Sequence, residues 1–258
     1  MESLSQKFLR SYMSKKRSEL KFKLLQIRKD AGVREEEATT FCRYAEINRE
    51  QLDVHNVFDE PHFDSNILNG FDGLFIGGAS EASVLEPENY PFLEDGFQLI
   101  RDCLEREIPV FASCFGFQLA IIALGGVITR NTDDFEMGTL AISLAETASE
   151  DPIYQGIHNP FYAVSVHQES AHALPENCSS LAFTEVCQHS FRVDNKPFWA
   201  FQFHPELDRA TLVERLGVYQ AKYTEDGNHY QKIIDNLVET PEANKLVRNF
   251  VEYVRVFG

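Results

Sequence analysis

The run Ile108-Pro109-Val110-Phe111-Ala112-Ser113-Cys114-Phe115-Gly116-Phe117-Gln118, continued by Leu119-Ala120-Ile121-Ile122-Ala123-Leu124, places an apolar strand-length segment before a thiol and an apolar helix-length segment after it. A buried strand over 110–113 that turns through Gly116 into a helix leaves Cys114 at the helix N-terminus. There the partial positive charge of unpaired N–H groups favours thiolate, the form that attacks a carbonyl carbon. About ninety residues later, Phe201-Gln202-Phe203-His204-Pro205-Glu206 reads as a short aromatic strand ending in an imidazole, with a carboxylate two positions on. In an extended segment residues i and i+2 share a face, so Glu206 falls near the His204 ring, and Pro205 stiffens the approach. Taken singly, Cys114 reads as well as a small buried hydrophobe, and the His-Pro-Glu triplet as an ordinary loop. Together they propose a nucleophile, a base and a group that orients the base.

Working outward, apolar runs over 22–27, 54–58, 73–76 and 110–113 read as strands, with helices over 35–51 and 92–106 between them. This alternation calls for a doubly wound, flavodoxin-like, mostly parallel α/β sheet with helices on both faces and the reacting groups at the carboxyl ends of the strands. Beyond Gly125-Gly126 the rhythm changes to strand candidates over 127–129, 139–144, 162–166, 180–184, 189–193 and 199–203. These suggest an additional antiparallel layer or long hairpins packed on the first sheet. From Arg209 the chain reads as helices over 210–223, 230–238 and 242–257, the last introduced by Thr240-Pro241.

With 258 residues, one large domain over 22–258 preceded by a basic extension over 1–21 is the best partition. The net charge of -16 argues against a nucleic-acid surface, which needs clustered Lys and Arg. The start of the chain runs the other way, with seven Lys or Arg against Glu2 and Glu19 up to Lys23, and is expected to lie solvated against its own acidic body. No run approaches the roughly 20 apolar residues a membrane span needs, and no signal-peptide pattern opens the chain. Five cysteines, odd in number and without a CxxC pair, suit free thiols in a reducing compartment, so a cytoplasmic address is expected. No pair among the eight histidines has metal-ligand spacing and no phosphate loop is present, so neither metal nor cofactor is expected.

The Cys114-x-Gly116-x-Gln118 elbow and the late His204-Pro205-Glu206 resemble the class I glutamine amidotransferases. A third landmark of that family, a strand ending in a double glycine, is matched by Gly73-Leu74-Phe75-Ile76-Gly77-Gly78. The resemblance implies a Cys114–His204–Glu206 triad and an oxyanion hole formed by the backbone N–H groups of Gly78 and Phe115. It also implies a glutamine pocket lined by Gln118, with His167 in a segment near the active site. The chain departs from the family pattern at Ala112, where relatives have Gly, and at Ala79, where they have Pro.

Such a chain is expected to hydrolyse a gamma-glutamyl amide through a cysteine thioester, as a free-standing glutaminase similar to that of GMP synthase. About fifty residues follow Glu206, too few for a synthetase domain, so a separate synthetase subunit is the expected ammonia acceptor. A gamma-glutamyl peptidase acting on small peptides or conjugates uses the same chemistry, and a silent binding module on this fold is the reading from another class.

Overall fold

The parallel half of the molecule is built from strands that are buried on both faces. These are β1 (Phe22–Gln26), β3 (Gly73–Ile76), β4 (Val110–Ser113) and β11 (Phe198–Phe201), with β2 (Leu52–Asn56) at the edge. Continuous burial is the signature of a sheet covered by helices on both sides. The computed structural model describes residues 15–130, 135–218, 231 and 233–258. Within it β2, β1, β3, β4 and β11 are neighbours in that order and all parallel, so their carboxyl ends open on one rim.

The second half adds β5 (Thr129–Arg130), β6 (Glu136–Leu144), β7 (Phe161–His167), β8 (Glu169–Ser170), β9 (Cys178–Phe183) and β10 (Gln188–Val193). The antiparallel strands do not form a separate layer: β10, β9, β6 and β7 continue the central sheet beyond β11 to nine strands, while β5 and β8 pair on their own. The physical reason is the tight 194–197 connection between β10 and β11, which lays β10 antiparallel on the free edge of β11 and satisfies its backbone groups.

Among the described residues the sheet is covered by α1 (Ala31–Ala45), α2 (Phe92–Arg106), α3 (Phe115–Ala123), α4 (Arg209–Val218) and α5 (Pro241–Phe257). Against α1 and α5 the sheet presents Phe22, Phe75, Phe111, Trp199 and Phe201, packed with Phe41 and Phe250. The Phe111 and Phe201 ring centroids are 4.3 Å apart, and Phe250 sits 5.4 Å from Phe111 and 5.6 Å from Phe75. Such pairs contribute about 0.5–1.5 kcal/mol each beyond the area they bury. The opposite face packs on α2 and α3.

Helix α1 starts earlier and ends earlier than the 35–51 expectation. Asp30 caps it by accepting from the Val33 N–H, and Glu46 stops it in the left-handed region at φ 52°. Of the helix expected over 210–223, residues 219–223 lie outside the described residues, as do residues 230 and 232 of the one expected over 230–238 and residues 1–14 of the basic extension. Among the described residues no helix is long and apolar enough to cross a membrane.

Candidate active site

Because β4 and β11 are parallel neighbours with Ser113 opposite Phe201, the residues that follow each strand emerge side by side on the rim. The Cys114 N–H donates to the Phe201 carbonyl at 2.7 Å, closing the ladder immediately before the two segments diverge. Cys114 then turns into α3 with φ 51° and ψ -97°. The reversal expected at Gly116 therefore falls on the cysteine itself, a sparsely populated conformation that costs of order 1–3 kcal/mol and persists where its surroundings over-determine it. Gly116 has a different task. A Cβ there would lie 2.9 Å from Ile76 Cγ2 and 3.0 Å from the Ile76 carbonyl, so its absence lets the elbow helix sit on the end of β3.

His204 is held from both sides. Its backbone N–H donates to the Val164 carbonyl at 2.8 Å, a single bridge to β7, and its Nδ1 lies 2.6 Å from Glu206 Oε1. The Ser113 hydroxyl donates to the other oxygen of Glu206 at 2.7 Å. This fixes the carboxylate with a partner one residue before Cys114, and no spacing rule in the sequence marks it. Burial alone would push the His204 ring towards neutrality, but the negative charges of Cys114 and Glu206 and the hydrogen bonds to both outweigh it and raise its pKa to about 9. For Glu206 burial acts upward, and the His204 charge and hydrogen bond, with Arg215 and Ser113, hold the carboxyl below its ordinary range.

The double glycine after β3 closes over this pair. A Cβ on Gly78 would stand 2.7 Å from His204 Cε1, 2.9 Å from Arg28 Nη2 and 3.5 Å from Cys114 Cβ, and one on Gly77 would meet the Glu37 carboxylate at 2.9 Å. Arg28 and Glu37 form an ion pair with side chains 1% and 0% exposed, Nη2 lying 2.9 Å from Oε1, and Arg28 also donates to the Ser80 hydroxyl at 3.2 Å. This buried pair, missed in the sequence, is what both glycines make room for. The Phe115 N–H belongs to the first turn of α3, where backbone donors lack an intrahelical acceptor.

A cavity of about 240 Å³ opens from Cys114, lined among others by Gln118, Arg130, His167 and Glu169. Gln118 is buried and donates from Nε2 to the Glu169 carbonyl at 3.0 Å, so it ties the α3 elbow to β8. Glu169 accepts from the Ser83 hydroxyl at 2.6 Å and from Arg130 at 2.6 Å. Sequence reasoning missed Glu169, Arg130 and Ser83: the pairing of β5 with β8 sets Arg130 beside Glu169, and the loop after β3 brings Ser83 to both. His167 closes the cavity wall, and behind it Glu136, Cys187 and His189 gather within mutual ligand range.

A thiol, an imidazole and a carboxylate at the carboxyl ends of two adjacent parallel strands lie where open α/β sheets carry their sites. The chain belongs to the class I glutamine amidotransferase family, whose model matches residues 42–213. It is 30% identical over 176 residues to GMP synthase [glutamine-hydrolyzing] of Thermotoga maritima, an alignment that spans 67% of this chain and 32% of the relative. The chain thus spans about a third of the length of that enzyme. It is also 28% identical over 215 residues to gamma-glutamyl peptidase 3 of Arabidopsis thaliana, covering 79% of this chain and 83% of the relative. In solved structures the same fold is found in a glutamine amidotransferase from Thermotoga maritima, with TM-score 0.73, 18% identity and coverage of 92% and 98% of the two chains.

Proposed function

We propose that this protein hydrolyses gamma-glutamyl amide bonds, with glutamine as its simplest substrate, through a thioester on Cys114. The observation that carries this reading is the convergence of Cys114, the Glu206-held His204 and Gly78 at one rim of the sheet. In the first half-reaction the Cys114 sulfur attacks the amide carbon. The tetrahedral oxyanion is received by the backbone N–H groups of Gly78 and Phe115, and His204 delivers its proton to the leaving nitrogen. In the second, His204 takes a proton from water, the resulting hydroxide attacks the thioester, and glutamate leaves as the sulfur is freed. Glu206 keeps the imidazole oriented and stabilises its charged form. The cavity wall carries charges of both signs for an amino-acid head group, Arg130 bridging Glu86 at 2.9 Å and Glu169 at 2.6 Å, and a substrate carboxylate or ammonium would share or displace these pairs. At about 240 Å³ the cavity is below the ~300–1,000 Å³ typical of ligand pockets, so it fits a glutamyl moiety and little more.

Two readings share this chemistry. As an ammonia donor the protein would serve a synthetase on a separate chain and stay slow until that partner docks. As a gamma-glutamyl peptidase it would need no partner. The second is favoured by the alignment with gamma-glutamyl peptidase 3, which runs along most of both chains. The pure chain, offered glutamine and a panel of gamma-glutamyl dipeptides with free glutamate as readout, separates them. Rapid turnover of dipeptides with little turnover of glutamine assigns the peptidase, and glutamine turnover that rises only with an added synthetase subunit assigns the donor. No glutamate from either would overturn the hydrolase reading.

The raised pKa of His204 sets a pH dependence. A group whose folded-state pKa is lifted from 6.5 to about 9 keeps its proton through neutral pH and loses it only as pH rises through about 9. The rate should therefore hold level across neutral pH and fall above about 9, when the imidazolium can no longer protonate the leaving nitrogen. An alkaline fall centred near the ordinary histidine value would show that the ring is not held between thiolate and carboxylate.

A further inference from the structure

Behind the cavity wall lies a second convergence that the proposed hydrolysis does not use. Glu136 opens β6, His167 ends β7, Cys187 precedes β10 and His189 lies near its start. One oxygen, Glu136 Oε2, is 2.8 Å from His189 Nε2, 3.0 Å from His167 Nε2 and 3.7 Å from Cys187 Sγ. The four donor atoms all lie within 4.8 Å of one another. The side chains of His167 and His189 are 1% and 0% exposed, and that of Glu136 is 10% exposed. His167 Nε2 pairs with the Glu136 carboxylate at 3.0 Å, and among the described residues the Nδ1 atoms of His167 and His189 have no hydrogen-bond partner. Two buried imidazoles and a thiol converging on one carboxylate oxygen is the feature that the proposed hydrolysis leaves unexplained.

We propose that Glu136, His167, Cys187 and His189 form a site for a divalent transition metal, with zinc the best match. A tetrahedral zinc with bonds of about 2.0–2.3 Å sets its ligand atoms roughly 3.3–3.7 Å apart, so the two imidazole distances to Glu136 Oε2 need a few tenths of an ångström of expansion, and separations towards the 4.8 Å limit of the cluster close by up to about 1 Å. The donor set of two imidazoles, one thiolate and one carboxylate is the N/S/O mixture zinc takes. Its charge also balances. The thiol releases one proton on binding, so thiolate and carboxylate carry two negative charges against the divalent ion, and both imidazoles bind neutral through Nε2 while keeping the proton on Nδ1. A buried centre of zero net charge avoids the penalty of an isolated ion. The sequence expectation of no metal rested on local spacing. Cys187 and His189 are two residues apart, but Glu136 and His167 are set opposite each other by the β6–β7 pair and meet them only across β9 in the sheet order. This assignment does not depend on the hydrolase reading. Its consequence for the candidate active site is mechanical: an ion on His167 would fix the wall that runs from Val166 to Glu169 beside Cys114.

The test is a titration of metal-free full-length protein with Co²⁺ alone, on a Cys114→Ala parent so that the other imidazole-paired thiol contributes nothing. The expected result is about one equivalent bound per chain, with visible bands of tetrahedral cobalt and a thiolate-to-cobalt charge-transfer band. Cys187→Ser should abolish that band, and His189→Gln should weaken uptake by more than the ~10–100-fold that loss of an outer hydrogen-bond partner costs. A chelator should lower the melting temperature of the zinc-loaded parent and leave that of His189→Gln unmoved. Absence of stoichiometric uptake by the parent, or a charge-transfer band that persists in Cys187→Ser, would overturn the assignment. Should Cys187→Ser fail to give native circular dichroism, His189→Gln decides alone, and unchanged uptake there is equally fatal.

Discussion

Replacing Cys114 with alanine is expected to remove at least about 10⁴-fold of the turnover on the best gamma-glutamyl substrate, with the melting temperature unchanged or raised. The size follows from the way a nucleophile and its base act as a unit: removing either forfeits the covalent route, and what is left is the contribution of binding and oxyanion donors. The stability follows from the backbone. Alanine in place of a 4% exposed cysteine vacates little space, and the φ of 51° that the turn imposes is equally strained for either residue. A glutamine-like electrophile should label the wild-type chain once, at Cys114, and leave the variant unlabelled. Turnover within tenfold of wild type would place the chemistry elsewhere.

Arg28→Met is the change with the largest expected cost in stability. It leaves the fully buried Glu37 carboxylate without its cation and deprives the Ser80 hydroxyl of a donor. Breaking one side of a buried pair typically costs about 3–5 kcal/mol, which for a domain of this size lowers the melting temperature by roughly 6–20 °C. The companion variant Arg28→Met with Glu37→Leu should recover most of the loss, because the uncompensated charge is gone. If the single substitution shifts melting by less than about 2 °C, the pair is not buried in solution in the way described. Activity should fall in both variants, since Arg28 Nη2 and His204 Cε1 crowd the same glycine.

Much of this architecture was legible in the residues. The helix over Phe92–Arg106 and the strands Gly73–Ile76 and Val110–Ser113 appear where apolar periodicity put them, because each is a buried element whose pattern has only one interpretation. The thiol and the imidazole could be paired from sequence because each is attached to a strand end, and parallel strands deliver their ends to one rim. Helix α1 lies ahead of the apolar positions that suggested 35–51 because its ends are set by the Asp30 cap and the left-handed Glu46 rather than by apolar periodicity. The Ser113 contact, the Arg28–Glu37 pair and the Glu136–His167–Cys187–His189 cluster were invisible for a shared reason. The first and last join residues across neighbouring strands, and the second joins the end of β1 to the helix that follows it; no local spacing encodes any of these contacts.

The position of β11 between β4 and β10 has a consequence for the life of the molecule before it is complete. Roughly the first two hundred residues can emerge from a ribosome with Cys114 in place and no imidazole opposite it. Only when Phe198–Phe201 slots into the gap is the sulfur brought beside the His204 imidazole. The two side chains thus come together only in the event that seals the middle of the protein.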